Sequence, residues 1–310
     1  MNDITVYSPQ AQIYVDFLAA NAGAATDMES ARELTREISR QFAGEPEPVE
    51  VSERVEAGGV PARLYLPTGG EQAVLVWLHG GGMIVGDSDS YDAMARAIAR
   101  RAGCAVLSVD YRLAPEHPYP AAVDDAWEAT QWAAQRWGAV AVGGDSAGGN
   151  LAAAVALRAR AADLPLRLQV LVYPAVDTDL DASYRADFAR RYADFTGQEN
   201  FLEAFRQGMR FNWGAYLPHE ADRRLPDASP LHADDFAGVA PVLLLTAEHD
   251  FLRPESEELE RRLRADQVPV ESVEYAGQAH GFFHLLGLMD DARDGVDRVA
   301  AALTKAFAVR

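Results

Sequence analysis

Gly144-Asp145-Ser146-Ala147-Gly148 is the stretch of this chain best suited to do chemistry. It joins a short apolar run, Val140 to Gly143, to an alanine- and leucine-rich segment, Leu151 to Ala162. A very tight turn from strand to helix forces the serine into a strained backbone conformation and throws its hydroxyl clear of the main chain. The positions two before and two after then lie so close to neighbouring backbone that only small side chains fit. The new helix aims free N–H groups at the same spot, where negative charge develops in an acyl transfer. A Gly-Ser loop can meet a five-residue pattern by chance, but the flanking strand and helix set this one apart. The motif therefore predicts Ser146 as a nucleophile and the Ala147 N–H as an oxyanion donor, and the rest of the chain must supply an acid, a base and further donors.

His79-Gly80-Gly81-Gly82 follows directly on the apolar run Ala73 to Leu78. Glycines after a strand leave backbone N–H groups uncovered, and those of Gly80, Gly81 and Gly82 can converge with Ala147 on an oxyanion. A phosphate-binding loop would need a lysine in the pattern, and this loop has none. For the base, the expected chain order is serine, acid, histidine. His280 fits best, in the loop Ala276 to Phe282 after a strand ending at Tyr275. His219, His232 and His249 precede or adjoin the acid candidates, and His284 falls in the last helical region. For the acid, Asp250 lies at the tip of the loop after Val242 to Thr246. Glu248 is its rival, nearer the strand, and Asp177 and Asp179 follow an earlier strand. Asp145 sits on the wrong side of the turn to reach the imidazole and reads as a loop-holding acceptor.

These residues need a sheet to position them. Ala73–Leu78, Cys104–Val109, Ala139–Gly143, Leu168–Tyr173, Val242–Thr246 and Val268–Tyr275 read as strands. Segments with helical spacing run over Tyr91–Ala102, Ala121–Trp137, Pro254–Arg264 and Leu285–Phe307. Such alternation predicts an α/β fold with a mainly parallel sheet covered on both sides. Val49–Glu56 and Val60–Leu66 flank Gly58-Gly59 as a hairpin. Residues 1–45 read as two helices. The first starts at Ser8-Pro9 with Ile13, Phe17 and Leu18 on one face. The second has capping-box spacing at Thr26 and Glu29 and carries Leu34, Ile38 and Phe42. Residues 177–230 break the alternation with Phe201, Phe205, Met209 and Trp213 four apart, a helix face packed on the domain or in part a lid over an acyl pocket.

Composition narrows the partners. The 310 residues carry a net charge of −19, with 49% hydrophobic and 24% charged residues, enough for a large core. So acidic a chain is unsuited to nucleic acid or anionic membranes, which need a basic patch. Cys104 is the only cysteine, in an apolar run, and reads as a core residue. With no basic–apolar leader and no apolar run near the ~18 residues a span requires, a cytoplasmic, non-membrane protein is expected. No metal or cofactor is called for.

Taken together the motifs resemble the hormone-sensitive-lipase family of α/β-hydrolases, the bacterial carboxylesterases with an HGGG loop. The matching pieces are His79 to Asp87, Asp110 to Glu116, Pro120 to Asp125, Gly144 to Asn150, Ala228 to Leu231, Glu248 to Arg253 and His280 to Phe282. They span about residue 60 to the end, in the family's order. The resemblance implies an α/β-hydrolase sheet of about eight strands and a triad of Ser146, Asp250 and His280, with an oxyanion hole from Gly80–Gly82 and Ala147. It implies a helical cap from residues 1–45 and about 180–225 on a catalytic domain of 46–310, and homodimers through the last strand, Val268 to Tyr275. Pro254 departs from the acidic residue that relatives often carry there.

A small-molecule carboxylic ester is the expected substrate. Charges such as Arg185, Asp187, Arg190 and Arg191 are unlike the apolar lid of a triglyceride lipase, so short to medium acyl chains are expected. Lactone, thioester or natural-product deacetylating hydrolysis would use the same triad. A non-catalytic ligand-binding protein of this fold is the remaining alternative, disfavoured by the intact triad.

Overall fold

Short aliphatic runs set the middle of the molecule. In the computed structural model, which describes residues 7–21, 23–69, 72–185 and 199–308 (the side chains of 199–205 excepted), they form one eight-stranded sheet. Its strands are β1 (Val51–Ala57), β2 (Val60–Leu66), β3 (Ala73–Leu78), β4 (Ala105–Val109), β5 (Ala139–Asp145), β6 (Gln169–Val172), β7 (Val242–His249) and β8 (Val270–Ala279). Their order across the sheet is β1-β2-β4-β3-β5-β6-β7-β8. Only β1–β2 and β2–β4 pair antiparallel; all other neighbours are parallel.

Helices cover both faces, which is why the central strands are apolar almost throughout. They are α1 (Pro9–Ala20), α2 (Met28–Phe42), α3 (Asp92–Ala102), α4 (Ala121–Arg136), α5 (Ala147–Ala161), α6 (Glu199–Tyr216), α7 (Arg253–Ala265) and α8 (Asp290–Ala308). Along β3 the side chains divide by parity. Val74, Val76 and Leu78 meet Ala126 and Ala129 of α4 and Leu151 and Val155 of α5 in one core. Leu75 and Trp77 belong to the other core, with Ile98 of α3 and Val296 and Val299 of α8. The chain leaves β3 for β4 on one side and returns to β5 on the other. This switch point opens a crevice at the carboxyl ends of the strands, where the loops after β3, β5, β7 and β8 lie.

Several expectations shift. In α1 the buried residues are Ala11 and Tyr14, while Ile13 and Leu18 are exposed, because the helix meets β8 with its other side. The cap of α2 is Asp27 with Ser30, one residue beyond the predicted pair: each side chain bonds the other's backbone N–H. β7 and β8 run on to His249 and Ala279, so His280 follows its strand at once. The last helix begins at Asp290 rather than Leu285. Phe282, Phe283, Leu285 and Met289 are all buried, but in successive turns, not on a helix face. The expected charges Asp187, Arg190 and Arg191 lie outside the described residues, as do the side chains of Phe201 and Phe205. Arg185 is described and is not a surface charge: it is buried against Glu255. Among the described residues no helix is long and apolar enough to cross a membrane.

Candidate active site

The turn after β5 is as tight as its glycines imply. Ser146 has φ 53° and ψ −117°, a left-handed backbone that costs about 1–3 kcal/mol for a residue with a side chain. The surroundings hold it there: Ser146 N–H donates to Val172 O at 2.9 Å, and Ala175 N–H donates to Ser146 O at 3.0 Å. A Cβ at Gly144 would collide with Gly148 and with Leu78 O, and one at Gly148 with Leu78 O.

His280, at the end of β8, reaches the serine. Its Nε2 is 2.9 Å from Ser146 Oγ and its Nδ1 is 2.7 Å from Asp250 Oδ2. Asp250 is buried just past β7, and its Oδ1 accepts from Leu252 N–H at 2.8 Å. With the carboxylate holding the proton on Nδ1, Nε2 is left to accept from the serine hydroxyl. Burial pushes the imidazole pKa down, but attraction and hydrogen bonding to Asp250, with smaller contributions from Asp145 and Glu255, outweigh it and leave the pKa raised. The rival acids serve elsewhere. Glu248 Oε2 accepts from Gly277 N–H at 2.8 Å, bracing β8. Asp177 accepts from Tyr184 and lies 3.1 Å from His232, and Asp179 Oδ1 caps the N–H of Asp181.

The glycine loop after β3 needs one correction. Gly80 N–H is committed within the protein, 3.0 Å from Asp145 Oδ1 and 3.1 Å from the Tyr91 hydroxyl. It is therefore not open to an oxyanion, and the expected donors reduce to Gly81, Gly82 and Ala147, whose N–H groups make no hydrogen bond among the described residues. Asp145 fills the loop-holding role predicted for it. It also accepts from Tyr91 at 2.8 Å, and burial raises its pKa to about 6. His79 stacks on Tyr111 at 4.3 Å, and the Tyr111 hydroxyl donates to His79 O at 2.7 Å, fixing the start of the loop.

Residues of α2 and α6 close over this framework. In α2, Arg32 donates to Ile84 O at 3.0 Å and Ala114 O at 3.3 Å and pairs with Glu116 at 2.7 Å; Arg36 pairs with Asp87 at 3.0 Å. Asn212 of α6 lies so close to Gly82 that a Cβ there would overlap its amide. The described residues line a partly open cavity of about 280 Å³ over Ser146, with Ile38, Met83, Met209 and Trp213 among its apolar walls. Tyr14, Tyr91, Asn212 and His284 also line it; of these the sequence brings up only His284, and sets it aside as part of the last helix. They are scattered through helices and turns, and His284 is hidden in an apolar run. No three His, Cys, Asp or Glu side chains group as a metal site among the described residues.

A profile of the alpha/beta hydrolase fold matches residues 75–284. A carboxylic ester hydrolase of Mycobacterium tuberculosis is 37% identical over 80% of this chain and 67% of its own length. The Pyrobaculum calidifontis esterase superposes with a TM-score of 0.84 at 33% identity, over 98% of this chain and all of that one. A solved esterase of the bacterial hormone-sensitive lipase family gives a TM-score of 0.82 at 26% identity, over 96% and 98%. The chain belongs to the hormone-sensitive-lipase family of α/β-hydrolases. Like these carboxylesterases it is a serine hydrolase of carboxylic esters. The GDSAG and HGGG segments of this chain are the two loops that meet at Asp145.

Proposed function

We propose that Ser146, His280 and Asp250 are the catalytic triad of a cofactor-independent esterase for short to medium acyl esters. What carries the reading is the unbroken hydrogen-bonded line from Asp250 through His280 to Ser146, at 2.7 and 2.9 Å. Ser146 Oγ attacks the ester carbonyl carbon as its proton passes to His280 Nε2. The oxyanion is met by the N–H groups of Gly81, Gly82 and Ala147. The tetrahedral adduct collapses to an acyl-enzyme, and the departing alkoxide takes the proton from His280. Water, deprotonated by the same nitrogen, attacks the acyl carbon; the second tetrahedral adduct expels Ser146 Oγ, which takes the proton back from His280, and the acid is released.

The acyl limit is supported by the size of the cavity, which at about 280 Å³ is at the small end for ligand sites. The cap role of residues 1–45 and 180–225 is part of this proposal, supported by the α2 and α6 side chains on the cavity wall. Hydrolysis of p-nitrophenyl esters from acetate to laurate tests it. Ser146→Ala should lower kcat by at least about 10⁴-fold, and the wild type should favour the shorter half of the series. Undiminished turnover in Ser146→Ala would refute the triad. A second copy of the chain is the proposed partner. β8 is at the edge of the sheet, with no further strand beside it among the described residues, and sedimentation of the wild type as a monomer would overturn that pairing.

A further inference from the structure

Tyr14 and His284 line the same cavity as Ser146, yet neither side chain makes a hydrogen bond among the described residues. His284 is 9% exposed, and its Nδ1 is enclosed without a partner. A buried polar atom left unpaired in a native fold calls for a reason. An unpaired N–H is rarer in interiors than an unused lone pair, which assigns the proton to Nε2, the ring nitrogen that is not enclosed. Stacking on Tyr91 at 5.0 Å fixes the plane of the ring. Burial pushes its pKa down to about 4, so it is a neutral donor across the working range.

Tyr14 reaches the same cavity from α1. A Cβ at Gly281 would sit 2.9 Å from its hydroxyl oxygen, so the glycine after His280 is what lets that hydroxyl approach. Burial raises the phenol pKa to about 12, so it stays protonated. The cavity thus joins apolar walls at Ile38, Met209 and Trp213 to two uncommitted polar groups, Tyr14 and His284.

We propose that Tyr14 and His284 form a polar subsite for an oxygen of the substrate. The enzyme then favours esters that carry an ether, hydroxyl or keto oxygen a few bonds from the scissile carbonyl over plain alkyl esters. A plain alkyl group would shut these donors away from water with nothing to bond, which a site built for hydrogen bonding penalises. The oxygen can belong to the acyl or the alcohol half of the ester. The inference rests on the esterase reading above.

Two isosteric pairs test it by kcat/KM: ethyl methoxyacetate against ethyl butyrate, and 2-methoxyethyl acetate against butyl acetate. Comparing each oxygenated-to-alkyl ratio between wild type and variant cancels the intrinsic reactivity of the esters. In His284→Phe the ratio should fall about tenfold in at least one pair, the worth of one hydrogen bond, and that pair identifies the half of the ester that is read. Tyr14→Phe, which removes a single oxygen, should lower the same ratio and carries the test alone if His284→Phe does not fold. Unchanged ratios in both pairs, including a uniform loss on all four esters, would overturn the subsite and leave His284 as packing beneath Tyr91. Failure of the wild type to hydrolyse any of the four would overturn the esterase reading and the subsite with it.

Discussion

The Tyr91 hydroxyl donates to Oδ2 of Asp145 at 2.8 Å, while Oδ1 of the same carboxylate takes the Gly80 N–H at 3.0 Å. Asp145 immediately precedes the nucleophile, so one buried side chain ties the glycine loop to the nucleophile turn. Asp145→Ala should leave Gly80 N–H with only the Tyr91 hydroxyl and let the oxyanion donors drift. Misplacement on the 1 Å scale costs roughly 100-fold, so kcat should fall about 10- to 100-fold with KM changing less. Single-turnover kinetics check the split. Tyr91→Phe should show the same pattern more weakly.

The pH profile has a definite sign. His280 must be neutral to take the serine proton, and its pKa lies above the ordinary 6.5 because the carboxylates around it outweigh its burial. On an uncharged ester, kcat/KM should rise with pH through a midpoint above 6.5. Asp145 is one of those carboxylates, so Asp145→Asn should move the midpoint down. A midpoint below 6.5 in the wild type would contradict the charge arrangement.

Glu255 is fully buried. Burial raises its pKa to about 8, with Arg185 pulling it back toward the charged form. Arg185→Ala should cost roughly 3–5 kcal/mol at neutral pH, because without its partner the buried Glu255 stays protonated in the folded protein whereas the unfolded chain ionises it. Glu255 should then be neutral at working pH, so the variant should recover stability as pH falls. Arg185→Met with Glu255→Leu should restore most of the loss. Chemical denaturation at two pH values measures both.

Two glycines should respond oppositely. Gly148→Ala drives a Cβ into Leu78 O beneath the nucleophile turn and should cost at least about 3 kcal/mol. Gly214, inside α6, has open space where a Cβ would go and no left-handed φ. Gly214→Ala should stabilise by about 0.5–1 kcal/mol. Melting temperatures of the two variants decide.

The nucleophile turn, the glycine loop and the His280 loop were legible because each is contiguous and follows a strand, so local spacing carries their geometry. The use of each N–H was not. Gly80 is committed by Tyr91, 11 residues on, and Asp145, 65 residues on, and no local pattern records such pairings. His284 was misread for another reason. Phe282, Phe283, Leu285 and Met289 satisfy helical spacing equally well when packed as turns. Arg185 looked like surface charge because its partner, Glu255, is 70 residues away. Composition conveys charge, whereas burial depends on the fold.

Arg32 holds the carbonyls of Ile84 and Ala114 from a helix that precedes every strand of the sheet. The precision of the loop that follows His79 is in this sense borrowed from the start of the chain. Exchanging the first forty residues with those of a relative, an obvious route to new selectivity, would therefore also retune the reaction rate. A chimera should keep its activity only if the arginine and its receiving carbonyls travel together.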